Sequence, residues 1–367
     1  MNKLLVVSCA SDDKRSPISM YLLKNELAEV KGGVSTKAKE LDAEVLYLLP
    51  TGESVEGLDE KVVYTTPSPV LKNAYAVAQV LEGDIPRPMI QDDFVATYEE
   101  KEVCVISAEE AYALKNGTDT KFVAVNSGGK CEIKKATVGD KLTDLADCTG
   151  AKAVLVGGLK GQFYLPGEAQ NLKVTADFNS DSVTVYDNNT CIVATVAALM
   201  DEAKEASCGK CVLCREGTSQ YKQIFEEMTT GKAKSGDIEL VKEVGELIKI
   251  GAYCPFGQNM PRTILSAMEL FAGEFNVHVK KKECKCGLCY KADALYYIDP
   301  DECIGCGECI DACEEEAIEG KDGYIHIIDQ DLCEHCGKCV PACEEGCIKT
   351  ATKLPRLPKK RTKVGRW

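Results

Sequence analysis

Apolar and polar positions along the chain fall into four successive textures. The run Lys3-Leu4-Leu5-Val6-Val7 is short and almost wholly apolar, the pattern of a buried strand, and Glu44-Val45-Leu46-Tyr47-Leu48-Leu49 repeats it. Between them Ile18 to Leu27 and Thr36 to Leu41 space their apolar residues as helices do. This alternation predicts a small sheet of parallel type, with helices, over roughly the first 115 residues. From Lys121 the texture changes to short β runs broken by glycines: Phe122-Val123-Ala124-Val125, Val154-Leu155-Val156 and Val183-Thr184-Val185-Tyr186. They predict a small β-rich module that ends in a strand around Cys191-Ile192-Val193. From Thr195 to Phe275 the pattern is helical. Its clearest stretch is Ile238 to Ile250, with Ile238, Leu240, Val241, Val244, Leu247 and Ile248 at helix-face spacing. The last texture, Ala294 to Thr350, is an internal repeat of two near-identical cysteine runs.

Those cysteines carry the chemistry. Cys208, Cys211 and Cys214 follow one another at spacing three, and Cys254-Pro255 stands forty residues on. A [4Fe–4S] cluster needs four thiolates, and a loop at this spacing can wrap three iron corners while the helices deliver the fourth. Pro255 fixes the turn. Zinc is the rival for four cysteines. The tandem runs are Cys303-x2-Cys306-x2-Cys309-x3-Cys313 and Cys333-x2-Cys336-x2-Cys339-x3-Cys343. In two-cluster ferredoxins the fourth Cys of each run ligates the other cluster. One cluster would therefore take Cys303, Cys306, Cys309 and Cys343, the other Cys333, Cys336, Cys339 and Cys313. Glu314 and Glu344 stand where such runs usually have Pro, and with Glu315, Glu316 and Glu345 they would disfavour an added electron and lower the potentials.

A further group, His278, Cys284, Cys286 and Cys289, fits a structural zinc knuckle, with Cys191 as a substitute ligand if Cys286 points away. Ordinary thiols and a fourth iron–sulfur cluster are the other readings of this group. Cys347 lies just past the last run and reads as a buried thiol without a partner. Cys9, Cys104, Cys131 and Cys148 read as small core residues.

Composition narrows the compartment and the partners. The 367 residues are 45% hydrophobic, enough for about two to four domains. Of 21 cysteines, 16 lie from Cys208 onward, in C-x-x-C spacings that indicate metal ligation rather than disulfides. The apolar run after Met1 is too short for a signal peptide or a membrane span, so a reducing, anaerobic cytoplasm is expected. The net charge is −14, and without the seven basic residues of the tail (Lys353, Arg356, Lys359, Lys360, Arg361, Lys363 and Arg366) the body carries −21. Such a body excludes nucleic-acid binding, which needs a basic face. With Leu354, Leu357 and Trp367 as anchors and Pro355 and Pro358 favouring an extended course, the tail is expected to lie as a strap on an acidic neighbouring subunit. The alternative is a solvated segment.

The residues Ser207-Cys208-Gly209-Lys210-Cys211-x2-Cys214-Arg215-Glu216-Gly217-Thr218, then Cys254-Pro255, then Glu274-Phe275-x2-His278, resemble the flavoprotein subunit of respiratory complex I. They resemble still more the β subunit of electron-bifurcating [FeFe]-hydrogenases. Asn73-Ala74-Tyr75 to Arg87-Pro88 and Asp187 to Val193 extend the likeness over nearly the whole chain. The resemblance favours iron–sulfur over zinc at Cys208, Cys211, Cys214 and Cys254. It implies a multidomain α+β chain: a truncated Rossmann-like α/β flavin-type domain (1–118), a ubiquitin-like β-grasp (SLBB) domain (119–194), a helical [4Fe–4S] bundle (195–277), a zinc knuckle or linker (278–293), a 2[4Fe–4S] ferredoxin domain (294–350) and the basic tail (351–367). One departure is large. The family holds the FMN phosphate in a Gly-Arg-Gly-Gly-Ala-Gly-Phe loop ahead of the segment where this chain begins. The next flavin element, an Asn-Ala-Asp-Glu run, aligns with Ser8-Cys9-Ala10-Ser11-Asp12-Asp13 and is barely kept. Gly32-Gly33 and Gly157-Gly158-x2-Gly161 are not strand-to-helix phosphate loops. FMN and NADH binding are therefore expected to be lost.

The expected function is an iron–sulfur relay with three [4Fe–4S] clusters in a multi-subunit, electron-bifurcating oxidoreductase. The resemblance implies an NAD(P)H-flavin subunit akin to the small subunit of glutamate synthase, a thioredoxin-like [2Fe–2S] subunit, a hydrogenase or formate dehydrogenase catalytic subunit, and ferredoxin as partners. An FMN-containing NAD(P)H dehydrogenase subunit is the alternative. A structural protein whose clusters never change oxidation state is the third reading.

Overall fold

Leu4 to Ser8 are buried without interruption because their strand lies inside its sheet and is covered on both faces. In the computed structural model β1 (Lys3–Ser8) is followed by α1 (Ile18–Asn25), α2 (Leu27–Leu41), β2 (Ala43–Pro50), β3 (Lys61–Thr65), α3 (Ala74–Leu81), β4 (Thr97–Tyr98), β5 (Lys101–Ser107) and α4 (Ala108–Asn116). The sheet order is β3-β2-β1-β5-β4. β1, β2, β3 and β5 are parallel, with Leu5 opposite Val45 and Cys104, and β4 is an antiparallel edge. Leu5, Val7 and Tyr47 meet α1, α2 and α4 on one face, while Leu4, Val6 and Leu48 meet Val77 of α3 on the other. The described residues are 2–11, 13–89, 94–175, 182–289, 295–330, 332–333, 336–351, 354–358 and 360–367. Asp12, Ala294, Lys353 and Lys359, which enter the readings above, lie outside them. The chain forms two units, Met1–Lys281 and Lys282–Trp367.

α2 is longer than the helix expected from Thr36 to Leu41, and it runs through Gly32 and Gly33. The glycine pair breaks the apolar pattern for a packing reason. A Cβ on Gly33 would stand 1.7 Å from the carbonyl oxygen of Ala111, so only glycine lets α2 and α4 approach this closely.

The second sheet of this unit has the order β7-β6-β10-β8-β9. Its elements are β6 (Thr120–Ser127), β7 (Lys130–Thr137), α5 (Leu142–Leu145), β8 (Ala153–Val156), β9 (Gln162–Tyr164), α6 (Pro166–Ala169) and β10 (Ser182–Tyr186). β6 is parallel to β10 and antiparallel to β7. Val123, Val154, Val156 and Val183 form its core with Leu142. The strand expected around Cys191 does not exist. Cys191 is instead the cap of α7 (Ile192–Ala206), its Sγ accepting from Ala194 N at 3.5 Å. Ile192, Val193, Val196, Leu199 and Met200 are buried at helical spacing, which a three-residue window cannot distinguish from a strand.

α8 (Val212–Thr229), α9 (Asp237–Gly251), α10 (Pro255–Leu270) and α11 (Ala272–Asn276) complete the unit. On α9 only Val241, Val244 and Ile248 of the expected stripe are buried, while Leu240 and Leu247 are 42% and 53% exposed. Among the scattered thiols Cys9 and Cys148 are buried and Cys104 is half-buried. Cys131 is exposed, because β7 is an edge strand that turns its first residues to solvent.

In the second unit β11 (Leu295–Ile298) pairs antiparallel with β14 (Ile348–Ala351). β12 (Ile318–Glu319) pairs in the same way with β13 (Ile327–Ile328). Short helices α12 (Glu308–Asp311) and α13 (Cys339–Ala342) lie within the cysteine runs. The end of the tail pairs with its own unit. Ile325 N donates to Thr362 O at 2.9 Å, Val364 N donates to Gly323 O at 3.2 Å, and Arg356 stacks 5.7 Å from the Trp367 ring. Its described part is clipped to its own unit by backbone hydrogen bonds.

The close approach at Gly33 predicts that Gly33→Ala destabilises the chain by roughly 2–3 kcal/mol through overpacking. Gly32→Ala, which would press only on the flexible Lys115 side chain, is expected to be neutral or stabilising. Thermal melts of the two variants check this. Equal Tm values would remove the packing account of the pair.

Candidate metal centres

The loop before α8 is shaped by its own side chains. Arg215 Nη1 donates back to Gly209 O at 3.0 Å, and Ser207 Oγ stands 3.7 Å from Cys214 Sγ. Tyr253 N donates to Cys211 Sγ at 3.3 Å, which ties the loop to the turn that carries Cys254. Burial pushes the Cys214 thiol up, and neighbouring Cys254, Cys211 and Cys208 push the same way. The structure thus brings together the four residues expected from the spacing. Like-charged thiolates this close need a cation among them, and iron with four cysteine ligands fits that requirement.

The second unit brings together two more groups of four. Burial, then Cys303, Cys306 and Cys343, pushes the Cys309 thiol up to about 12. Cys339 is raised by burial and then by Cys333, Cys336 and Cys313. Cys343 thus lies near the first run's cysteines and Cys313 near the second's. Cys313, Cys333, Cys336 and Cys339 line a cavity of 60 Å³ with Tyr296 and Ile328. Ala317 N donates to Cys313 Sγ at 3.3 Å. Of the acidic residues next to the runs, Glu314 is paired with Lys338 at 2.6 Å, so part of the charge expected to lower the potentials is offset.

Three features were not read from the sequence. Cys347 has a partner after all: its Sγ lies 3.2 Å from Cys343 Sγ. Burial alone would raise Cys343, but the Cys347 thiol and backbone N–H groups offset this and hold it below an ordinary thiol. His326, buried, turns Nδ1 to Cys303 Sγ at 3.7 Å. Superposing the two runs would have shown both, since Cys347 stands where the first run has Ala317 and His326 where it has Tyr296. Third, Glu274 accepts from Ile192 N at 2.8 Å and pairs with Lys152 at 2.8 Å, which fixes the start of α7.

Cys191 Sγ and His278 Nε2 face each other at 3.4 Å, both buried. His278 Nδ1 lies 2.9 Å from Glu274 O. A carbonyl can only accept, so Nδ1 carries the proton and Nε2 presents its lone pair to Cys191. Cys284, Cys286 and Cys289 are half-buried in the other unit.

The flavin fares differently. A 280 Å³ cavity lies beyond the carboxyl ends of β1 and β3, the place where open parallel sheets bind nucleotides, lined by Ser11, Asp13, Lys14, Thr66, Leu159 and Phe256 among others. Part of its polar lining is engaged within the chain, while Ser11 Oγ has no hydrogen-bond partner among the described residues. Arg15 grips Glu202 with two bonds of 2.5 and 2.9 Å, and Lys14 pairs with Glu205 at 3.4 Å. Leu159 N donates to Asp13 Oδ2 at 3.2 Å, and a Cβ on Gly158 would stand 2.5 Å from that oxygen. The glycine turn after β8 therefore holds the chain's own carboxylate.

Residues 194–278 match the model of the NADH-ubiquinone oxidoreductase-F iron–sulfur binding region. Residues 296–319 and 326–349 each match the 4Fe–4S binding domain. The chain carries iron–sulfur binding domains. It is 36% identical over 214 residues to the NADP-reducing hydrogenase subunit HndC of Solidesulfovibrio fructosivorans, a match covering 56% of this chain and 40% of that one. It is 26% identical over 167 residues to an NADH-quinone oxidoreductase subunit of Mycobacterium bovis, covering 41% and 37%. The chain thus spans less than half the length of these curated relatives. In fold it is similar to a chain of an air-oxidized NAD+-reducing [NiFe]-hydrogenase, with a TM-score of 0.68 at 18% identity over 76% of this chain and 57% of that one. The mixed α/β fold is thereby shared with a hydrogenase chain, and the C-terminal part is of ferredoxin 4Fe–4S type. Among the described residues no helix is long and apolar enough to cross a membrane.

Lys338 sits beside Cys336 as well as Glu314. Were a cluster held by Cys333, Cys336, Cys339 and Cys313, replacing Lys338 by Met would lower its midpoint potential, because a positive charge that favours the added electron is lost. EPR-monitored redox titration reads this, and an unchanged or higher midpoint would contradict it.

Proposed function

We propose that this chain is the iron–sulfur relay of a multi-subunit oxidoreductase, holding three [4Fe–4S] clusters and no FMN. The observation that carries the reading is the gathering of twelve cysteines into three groups of four, matched by iron–sulfur binding domains. The clusters would supply one-electron transfer. The chain's own residues do the rest. Cys208, Cys211, Cys214 and Cys254 hold one cluster. Cys303, Cys306, Cys309 and Cys343 hold the second, and Cys333, Cys336, Cys339 and Cys313 the third. Tyr253 N and Ala317 N donate to ligand sulfurs and so favour the reduced state. Cys214, Cys303, Cys309 and Cys339 are buried, while Cys306 and Cys336 are exposed, so each group in the second unit has one ligand open to solvent.

The parallel order of the first sheet supports a Rossmann-like flavin-type lobe, and the β6–β10 parallel pair flanked by antiparallel strands supports a β-grasp module. The engaged Asp13, Arg15 and Glu202 support a lobe that serves as a scaffold, with hydride chemistry on another subunit. The partners proposed are an NAD(P)H flavoprotein, a thioredoxin-like [2Fe–2S] subunit, ferredoxin, and a hydrogenase or formate dehydrogenase catalytic subunit, in a bifurcating complex. A reducing cytoplasm suits this many thiolates. We also propose Cys191 and His278 as two ligands of a structural zinc ion, with the others drawn from Cys284, Cys286 and Cys289, which follow His278 in the chain.

Flavin analysis and reductive titration of the anaerobically purified chain test the relay. Less than about a tenth of an FMN per chain, with reversible one-electron reduction at the clusters, is expected. Near one FMN per chain would make this the subunit that splits hydride into electrons. Clusters that never change oxidation state would leave only a structural role.

For the zinc, metal analysis is expected to find about one Zn2+ per chain and to lose it in His278→Ala with iron unchanged. Equal zinc in both proteins would remove His278 from the ligands.

A further inference from the structure

We propose that Cys347 is a reserve ligand of the cluster assigned to Cys303, Cys306, Cys309 and Cys343, able to take the iron corner of Cys343. The proposal rests on that assignment and goes beyond it, since a [4Fe–4S] cluster needs only four thiolates and Cys347 is a fifth.

Three observations converge. Cys347 is 4% exposed, so its thiol is turned into the unit rather than left as a surface group. Its Sγ is 3.2 Å from Cys343 Sγ, so it touches the assigned ligand that it would replace. The repeat supplies the third. The run ending in Cys313 is followed four residues later by Ala317, which offers the cluster only a backbone N–H at 3.3 Å from Cys313 Sγ. The run ending in Cys343 is followed four residues later by Cys347. The backbone places both positions alike, each opening a strand beside its cluster, with Ile318 opposite Ile328 and Ile348 opposite Ile298. The same fold position thus carries a methyl at one cluster and a metal-binding sulfur at the other.

A thiol so placed can replace its neighbour by exchange. The Fe–S bond to Cys343 breaks, Cys347 loses its proton and forms an Fe–S bond at the same iron, and Cys343 takes up the proton. No electron is gained or lost. Cys343 is half-buried and Cys347 is buried. An oxidant arriving from solvent would meet the assigned ligand first and leave the reserve intact. One cluster of the pair would then survive the loss of its fourth ligand while the other would not.

The repeat also supplies the control. Iron content and low-temperature EPR of the anaerobically reconstituted full chain are measured for Cys313→Ala, Cys343→Ala, Cys347→Ala and Cys343→Ala/Cys347→Ala. Cys347→Ala is expected to keep all its iron. Cys313→Ala is expected to lose about four irons per chain, because Ala317 offers no replacement. Cys343→Ala is expected to keep its full iron, with an altered EPR signal, and the double variant to lose about four irons per chain, those of the cluster assigned to Cys303, Cys306 and Cys309. If Cys343→Ala loses as much iron as Cys313→Ala, or fails to fold, Cys347 is not a reserve ligand. If Cys313→Ala keeps its iron, the ligand assignment beneath the proposal falls, and the proposal with it.

Discussion

The crowding of thiols is the constraint on which the second unit turns. Its buried core comprises Ile298, Ile318, Ile325, Ile328 and Ile348 together with Cys303, Cys309, Cys339 and Cys347. Nearly half of that core is ligand or ligand neighbour, and five isoleucines are a small apolar reserve for ordering some eighty residues. Each added negative charge in such a group is opposed by burial and by the others, and both push the Cys309 thiol up. Iron removes both penalties at once: it neutralises the thiolates and cross-links the loops. Metal binding and folding are therefore coupled here as they are in small zinc domains. The first unit is built differently, with two sheets and a helical layer that have apolar cores of their own, so its single cysteine group sits on a scaffold that does not depend on it.

That difference explains what could be read from the chain. Ligand spacing is a covalent fact, and the crossed grouping of the two runs follows from it. Long buried strands such as Lys3–Ser8 are equally legible, since both faces are covered and the apolar run is unbroken. The misreadings have one source, tertiary context that a local window cannot contain. Gly32-Gly33 looks like a helix break and is a helix crossing, because the reason for glycine is the Ala111 carbonyl far away in sequence. Cys191-Ile192-Val193 looks like a strand and is a helix start, because its partners lie one and two turns ahead.

The repeat in the second unit is informative where its halves differ. Both halves have the same strand pairing and ligand spacing, so the backbone cannot distinguish the clusters. Side chains can. One group has Tyr296 in its cavity wall and Ala317 behind Cys313. The other has His326 beside Cys303 and Cys347 beside Cys343. Lys338 adds a charge to the first group only. Cluster potentials respond to hydrogen bonds at sulfur, to nearby charge and to burial. On the proposed assignment, two clusters in near-identical cages with different neighbours would therefore differ in potential.

The first unit makes a complementary point about what the carboxyl edge of a parallel sheet can be used for. That edge at β1 opens on a cavity, and the turn after β8 exposes a backbone N–H. The N–H is satisfied from within the chain, while Ser11 Oγ in the cavity wall has no partner among the described residues. Asp13 accepts the N–H of Leu159, Arg15 lies 3.7 Å from Asp13 and grips Glu202 of α7, and so three layers of the unit meet at one charge cluster. A buried anion-binding turn without a partner would be costly, and an internal carboxylate supplies that partner. The arrangement makes a joint of what could otherwise be a binding edge. Because Glu202 lies one turn before the end of α7, and Ser207 and Cys208 follow that end directly, the joint also anchors the approach to the first cysteine group.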